Sequence, residues 1–395
     1  MGKSECFAPK PRYEVLDGLR GVAALMVVAY HMLEVLGNGD HTVQPLNHGY
    51  LAVDFFFALS GFVIGYAYDD RWPKGMTLWQ FFRRRLVRLH PLVILGTLLG
   101  AALFYFQDGA ADWKGIAQVS PWRLVGVTLF CFTMIPCCKA LDIRGWSETN
   151  PLNGPVWSLQ WEYLANILYG TVVRRFGIAA LGLLVFASGA LTVCLCLNLD
   201  FTGFLAAREY AKYTVIGGWS LDADQLQIGL TRLMYPFFAG LLLSRLKWII
   251  PVRRGGFAIC SALVAAVLAM PFVGTKECQL PNGIYEAAVI LLVIPLIVSL
   301  GAGSRLVSGR TARLCQFLGE ISYPLYITHF PLICMLASWR GTHPSAASGQ
   351  TLTLCVGLFA LAVFNAWAAL KLYDLPVRKW LLRPNQRSSP SCEHS

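Results

Sequence analysis

The chain has 395 residues, 56% of them hydrophobic and only 14% charged, with a mean hydropathy of +0.53. That balance excludes a soluble enzyme of this length and fits a polytopic helical membrane protein. The formal net charge of +11 is carried by short basic clusters between apolar runs. This is the positive-inside pattern of membrane proteins, so a nucleic-acid partner is not expected.

Ten apolar runs of spanning length follow one another, at roughly 19–36, 50–68, 89–106, 155–173, 177–197, 226–246, 256–273, 285–301, 315–336 and 352–373. They predict an all-α integral membrane bundle of about ten transmembrane helices, multi-pass in a plasma or bacterial inner membrane. One membrane domain is expected over 16–380, preceded by a cytoplasmic segment 1–15 and followed by a polar, Pro/Ser-rich tail 381–395 expected to be disordered. Residues 1–15 lack an apolar core, so no removable leader is expected.

The first run, LDGLRGVAALMVVAYHMLE, carries Arg20 near one end and His31 near the other. At 100° per residue they share a face within about 20° and stand about 16 Å apart. A snorkelling arginine and a helix-tying histidine would account for each alone, whereas the pair on one stripe points to a reaction centre. Glu34, one turn on, is placed to reach back toward the imidazole.

The next basic cluster, FFRRRLVRLHP at 81–91, is read as an inner loop with an amphipathic approach, Pro91 opening the following span. Arg85 and Arg88 lie one helical turn apart and make a fork for a phosphate-rich ligand, where Arg83 and Arg84 serve as a topology anchor. An eleventh run, 123–136, is short and ends in proline. Leaving it out places 22 Lys and Arg on the inner side against 8 on the outer, whereas counting it gives 15 against 15. The charge rule therefore selects ten spans with both termini cytoplasmic, and 123–136 becomes a re-entrant or interfacial piece of an outer loop, 107–154.

In that topology His31, Asp54, Glu162, Arg232 and His329 all fall within about 6–11 Å of the outer boundary. Two readings stand for this ring: mutually neutralising structural glue, or a polar chamber in which a base works. The twelve cysteines are scattered, most of them within apolar runs, and no zinc pattern appears, so no metal is expected. Cys137, Cys138 and Cys278 lie in loops, where spacing leaves the question of a disulfide open.

Several ordered stretches resemble the acyltransferase-3 family of integral membrane O-acyltransferases, from Leu16 to Trp380. LDGLRGVAALMVVAYH is similar to its opening Arg…His signature, and HGYLAVDFFFALSGFVIG to its second-span motif with Asp54, Ser60 and Gly61. RRRLVRLHP matches its Arg-x-x-Arg element at Arg85 and Arg88, and VWSLQWEYLAN its Trp-Ser-Leu…Glu motif at Trp157, Ser158 and Glu162. Trp161 stands where members often carry a first glutamate. ISYPLYITHFPL matches the late motif at Tyr326 and His329, and YDLPVRKW the closing element with Asp374 substituted.

The resemblance implies transfer of an acyl group, commonly acetyl from acetyl-CoA, to a hydroxyl of a carbohydrate, envelope glycan or other hydroxylated acceptor. On that reading His31 is the general base, oriented by Glu34 or Glu162, with an acyl-histidine intermediate left open. Arg85 and Arg88 bind coenzyme A phosphates, and Arg20 either joins them or polarises the thioester carbonyl. Asp54, Trp157, Ser158, Glu162, Arg232, Tyr326 and His329 complete the chamber. A rival from the residues alone is a multi-span transporter with a buried proton relay.

Overall fold

A computed structural model describes residues 10–40, 42–108, 115–208, 211–306 and 309–383. Residues 1–9 of the amino-terminal segment and 384–395 of the tail lie outside the described residues. The fold is all-helical, with no strand among the described residues beyond one isolated bridge between Val252 and Ser304. Seven helices there are long and apolar enough to cross a membrane. They are α1 (Glu14–Leu36), Asn47–Tyr68, which contains α2 (Ala52–Tyr68), α3 (Leu78–Ala102), α6 (Ile178–Cys196), α7 (Ala223–Leu246), Leu280–Gly303 and Ser348–Leu381. Leu280–Gly303 joins α9 (Leu280–Ala288) to α10 (Ile294–Gly303) through a π-helical stretch, and Ser348–Leu381 joins α13 (Ser348–Ala368) to α14 (Leu375–Leu381) in the same way.

The remaining apolar runs are less regular. The run at 315–336 is a bent pair, α11 (Gly309–Thr328) and α12 (Phe330–Thr342), meeting at 49°. The runs at 155–173 and 256–273 fold as α5 (Val156–Thr171) and α8 (Gly256–Ala269), of 16 and 14 residues. Both are shorter than a straight helix needs to cross about 30 Å of hydrocarbon. The eleventh run contains α4 (Pro121–Cys131), 11 residues opened by a Ser120 cap and Pro121. A helix of that length rises about 16 Å and does not cross. Trp122 and Leu129 are exposed on it, while Val127 and Cys131 pack on Phe104, Ile116 and Leu152.

The structure corrects one boundary. The basic cluster at 81–91 is not a loop, because α3 starts at Leu78 and runs through Pro91 without ending. Thr77 accepts from the Gln80 amide while the Gln80 side chain accepts from the Thr77 amide, a reciprocal cap that starts the helix upstream of the arginines.

Two close helix pairs frame the site. α2 lies against α7 at Gly61 and Gly240, where an added Cβ would meet the carbonyl oxygens of Phe237 and Ala58. Small residues let the two backbones touch, as interfaces between membrane helices require. α1 lies along α11, and three polar residues of α11 and its end reach out at successive levels. Ser322 meets Arg20 of α1, Tyr326 meets Ser158 of α5, and His329 meets His31 of α1.

Candidate functional site

The carboxyl-terminal half of α1, the start of Asn47–Tyr68, the start of α5 and the α11–α12 bend enclose a cavity of about 840 Å³. His31, Glu34, Tyr50, Trp157, Arg232 and Tyr326 all line it. Its histidine is held in a defined state. His329 Nδ1 lies 3.0 Å from the Leu325 carbonyl, which can only accept, so that nitrogen carries the proton. The neutral His329 Nε2 is then an acceptor, and His31 Nδ1 at 2.9 Å donates to it. The lone pair of His31 is thereby placed on Nε2, which has no hydrogen-bond partner among the described residues. The two rings stack at 5.1 Å between centroids.

Beside this pair Arg232 is fully engaged. Its Nη2 meets Asp54 Oδ2 and the Tyr50 carbonyl, both at 2.7 Å, and its Nη1 meets the Gly217 carbonyl at 3.1 Å. The guanidinium also lies 5.2 Å from the Trp157 ring. Asp54 is 0% and Arg232 2% exposed, so each charge depends on the other. Ser158 Oγ and Tyr326 Oη are 2.7 Å apart, and both lie within reach of the Pro155 carbonyl.

Of the five residues expected at one level, four therefore pair two by two, His31 with His329 and Asp54 with Arg232. Glu162 does not join them. It accepts from Arg85 Nη2 at 2.7 Å and from Ser60 Oγ at 2.8 Å. Nor does Glu34 orient His31, since it is instead the partner of the Tyr30 hydroxyl at 3.4 Å. Tyr30 and Glu34 are four apart on α1, a spacing at which helical side chains meet. The side-chain partner of His31 is His329.

At the other end of α1 lies a different arrangement. Arg20 donates to Ser322 Oγ at 2.8 Å and to the Gly319 carbonyl at 3.1 Å, with Asp17 at 3.4 Å. Arg85 is buried on Glu162, whereas Arg88 is exposed and makes no hydrogen bond or ion pair among the described residues. The charges of Arg20, Arg85 and Arg378 all bear on Arg88.

Residues that the motifs did not flag complete the cavity wall: Tyr30, Tyr50, Trp146, Glu148 and Trp219. Glu148 and Trp146 belong to the segment between α4 and α5. A lone acid beside a tryptophan and among turn residues, RGWSETNPLNGP, was the available sign. Burial raises the Glu148 carboxyl to about 7, against the lowering effect of Arg144.

Comparison with known proteins points to one family. Residues 13–370 match the family described as an acyltransferase domain. The chain is 34% identical to Protein 2 in the picA locus of Rhizobium radiobacter over 41% of its own length and 83% of that protein's. It is 28% identical to the acyltransferase MdmB of Streptomyces mycarofaciens over 82% and 79% of the two chains. It is 23% identical to the peptidoglycan O-acetyltransferase OatA of Listeria monocytogenes over 81% of this chain and 49% of that one, so it spans about half of OatA. No solved structure matches.

Proposed function

This chain belongs to the acyltransferase-3 family of membrane acyltransferases, and we propose that it carries an acetyl group from acetyl-CoA to a hydroxyl of a glycan, with His31 as general base. The observation that carries the reading is the chain Leu325 carbonyl, His329, His31, which ends in an unshared imidazole nitrogen on a cavity wall. The acceptor hydroxyl gives its proton to His31 Nε2 as its oxygen attacks the thioester carbonyl. The tetrahedral intermediate then breaks its C–S bond, and the departing thiolate recovers the proton from the imidazolium. His329 keeps the imidazolium oriented throughout.

Arg88 receives the donor's phosphates, since it is exposed, unpaired and surrounded by like charge. Arg85 supports it from the Glu162 contact, and Arg20, about 16 Å from His31 along α1, belongs with the phosphates rather than with the thioester carbonyl. MdmB is named an acyltransferase and OatA a peptidoglycan O-acetyltransferase. These names favour a hydroxylated, sugar-like acceptor here.

His31→Gln tests the assignment. The variant should remain folded and bind acetyl-CoA while transfer falls about 10²–10⁴-fold; near-normal turnover would remove His31 from the mechanism. The orientation with both termini cytoplasmic rests on the 22-to-8 charge split. It is tested by outside labelling of Ala140→Cys, an exposed position, in a background lacking native cysteines. Labelling only after permeabilisation would reverse it.

A further inference from the structure

The segment from Phe132 to Pro155 is built to place one carboxylate on the cavity wall. Asp142 gathers three backbone amides, of Arg144 and Gly145 on Oδ1 at 2.9 Å and of Ser147 on Oδ2 at 2.7 Å. Gly145 takes φ +87°, the left-handed turn that this wrap requires. The turn delivers Trp146 and Glu148 to the cavity. Beneath Glu148 the chain is again a glycine: a Cβ at Gly154 would lie 2.6 Å from Glu148 Oε1 and 2.9 Å from the Phe330 ring. The space occupied by the carboxylate thus exists because residue 154 has no side chain.

Glu148 is 9% exposed, and its Oε2 has no hydrogen-bond partner among the described residues. A buried carboxylate oxygen left open is costly unless something else satisfies it. The groups facing it are few. Arg144 attracts it, Asp142 and Glu34 repel it, and Glu34 lines the same cavity. Indoles of Trp146, Trp157 and Trp219 form further parts of the wall. Carboxylates accept from hydroxyl pairs, and flat indole faces cover the C–H face of a saturated ring. Together they suit a pyranose, and the carboxylates repel the phosphates of the donor.

We propose that Glu148, with Glu34 on the same cavity wall, is the specificity-determining carboxylate of the acceptor subsite. It accepts a hydrogen bond from a hydroxyl of a carbohydrate ring beside the one that is acylated. The proposal rests on the acyl-transfer reading above and adds to it the place of the acceptor and the residue that selects it. It assigns Glu148 no proton transfer, which stays with His31.

The test uses full-length protein in detergent, with methyl glucoside and the methyl glycoside of N-acetylglucosamine as probes and the cavity tryptophans as the reporter. Wild-type protein should show saturable quenching by at least one glycoside. At pH 8, where the Glu148 carboxylate is charged, Glu148→Gln, which keeps the side chain's shape, should weaken that binding about tenfold, the loss of one charge-assisted hydrogen bond. Acetyl-CoA binding should be unchanged in the same preparation, because Arg88 lies toward the other end of α1. Gly154→Ala, which pushes on the carboxylate without removing it, should weaken glycoside binding as well. Equal glycoside affinity in wild type and Glu148→Gln, or no glycoside binding by wild type, would overturn the subsite while leaving acyl transfer standing. Loss of acetyl-CoA binding by wild type would instead sink the acyl-transfer reading itself.

Discussion

The two ends of α1 solve the problem of charge in a membrane in opposite ways. At the His31 end, two pairs on the helices match each other within the protein. Asp54 cancels Arg232, and His329 Nε2 accepts the hydrogen bond of His31 Nδ1–H. At the Arg20 end, four guanidiniums bear on one neighbourhood. Only part of that charge is met by acids, Asp17 near Arg20, Glu162 on Arg85 and Asp374 on Arg378 at 2.6 Å. The first end leaves one ring nitrogen, His31 Nε2, without a partner among the described residues. The second stays positive and leaves Arg88 without a partner among the described residues. A site that is complete by itself is suited to proton transfer, and one that is incomplete is suited to binding a charged ligand.

The largest expected effect breaks the self-contained end at its reacting nitrogen. His31→Gln should lower transfer by about 10²–10⁴-fold. His329→Gln should cost less, because His31 keeps its nitrogen and loses only the fixed tautomer. Its transfer rate should show an altered pH profile with acetyl-CoA binding retained. An unaltered profile in folded His329→Gln would show that the ring contact merely packs α11 on α1.

The next largest effect concerns stability. Asp54→Asn leaves the Arg232 charge buried without its counter-ion, which should cost about 3–5 kcal/mol. The measurement is the melting temperature of the purified protein, and the paired replacement Asp54→Leu with Arg232→Met should recover most of the loss. Arg88→Ala at the other end should leave the melting temperature alone. Equal destabilisation by both single changes would erase the contrast between the ends.

Much of this contrast was legible in the sequence. The apolar runs correspond to helices, and Arg20, His31, Asp54, Arg85, Arg88, Glu162, Arg232 and His329 stand out as charges or imidazoles in apolar surroundings. Who pairs with whom was not. His31 and His329 are 298 residues apart, and Arg232 and Asp54 are 178 apart. Their meeting depends on how far each helix is rotated about its axis, which a hydrophobic period specifies only to a broad face. Glu34 and Glu162 illustrate this, since both are near enough in depth to serve His31 and both are turned to other partners. The start of α3 was hidden for another reason. A capping box at Thr77 and Gln80 outweighs the arginines that otherwise read as loop. Glu148 was hidden because it lies on irregular chain, where neither period nor run length applies.

A smaller effect sharpens the boundary of the His31 end. The Glu148 carboxyl has an ordinary value of 4.5 and is raised to about 7 by burial. The folded state therefore holds its proton where the unfolded chain has lost it. Stability from this group is fully present below about pH 4.5 and is lost as pH rises through about 7, by about 3 kcal/mol at most. Glu148→Gln cannot ionise and escapes that loss. Its melting temperature relative to wild type should therefore rise between pH 5 and pH 8, and a difference that stays constant would show that Glu148 is already ionised in the fold at the lower pH.

The smallest effect belongs to the open end and distinguishes its two central arginines. Arg88 has no partner among the described residues, so Arg88→Ala removes nothing that the fold uses. It should weaken acetyl-CoA binding by about 1.5–3 kcal/mol, roughly ten- to hundredfold, with acceptor affinity unchanged. Arg88→Lys should recover part of that, because an ammonium keeps the charge but not the guanidinium fork. Arg85→Ala differs in kind: it strands Glu162, which then keeps only the Ser60 hydroxyl, and so should lower both melting temperature and donor binding. Replacing Glu162 by Gln in the Arg85→Ala background removes the stranded charge and should restore stability without restoring donor binding. Restoration of both would mean that the arginine end is structural like the histidine end. Restoration of stability alone would leave its uncompensated charge to the phosphates.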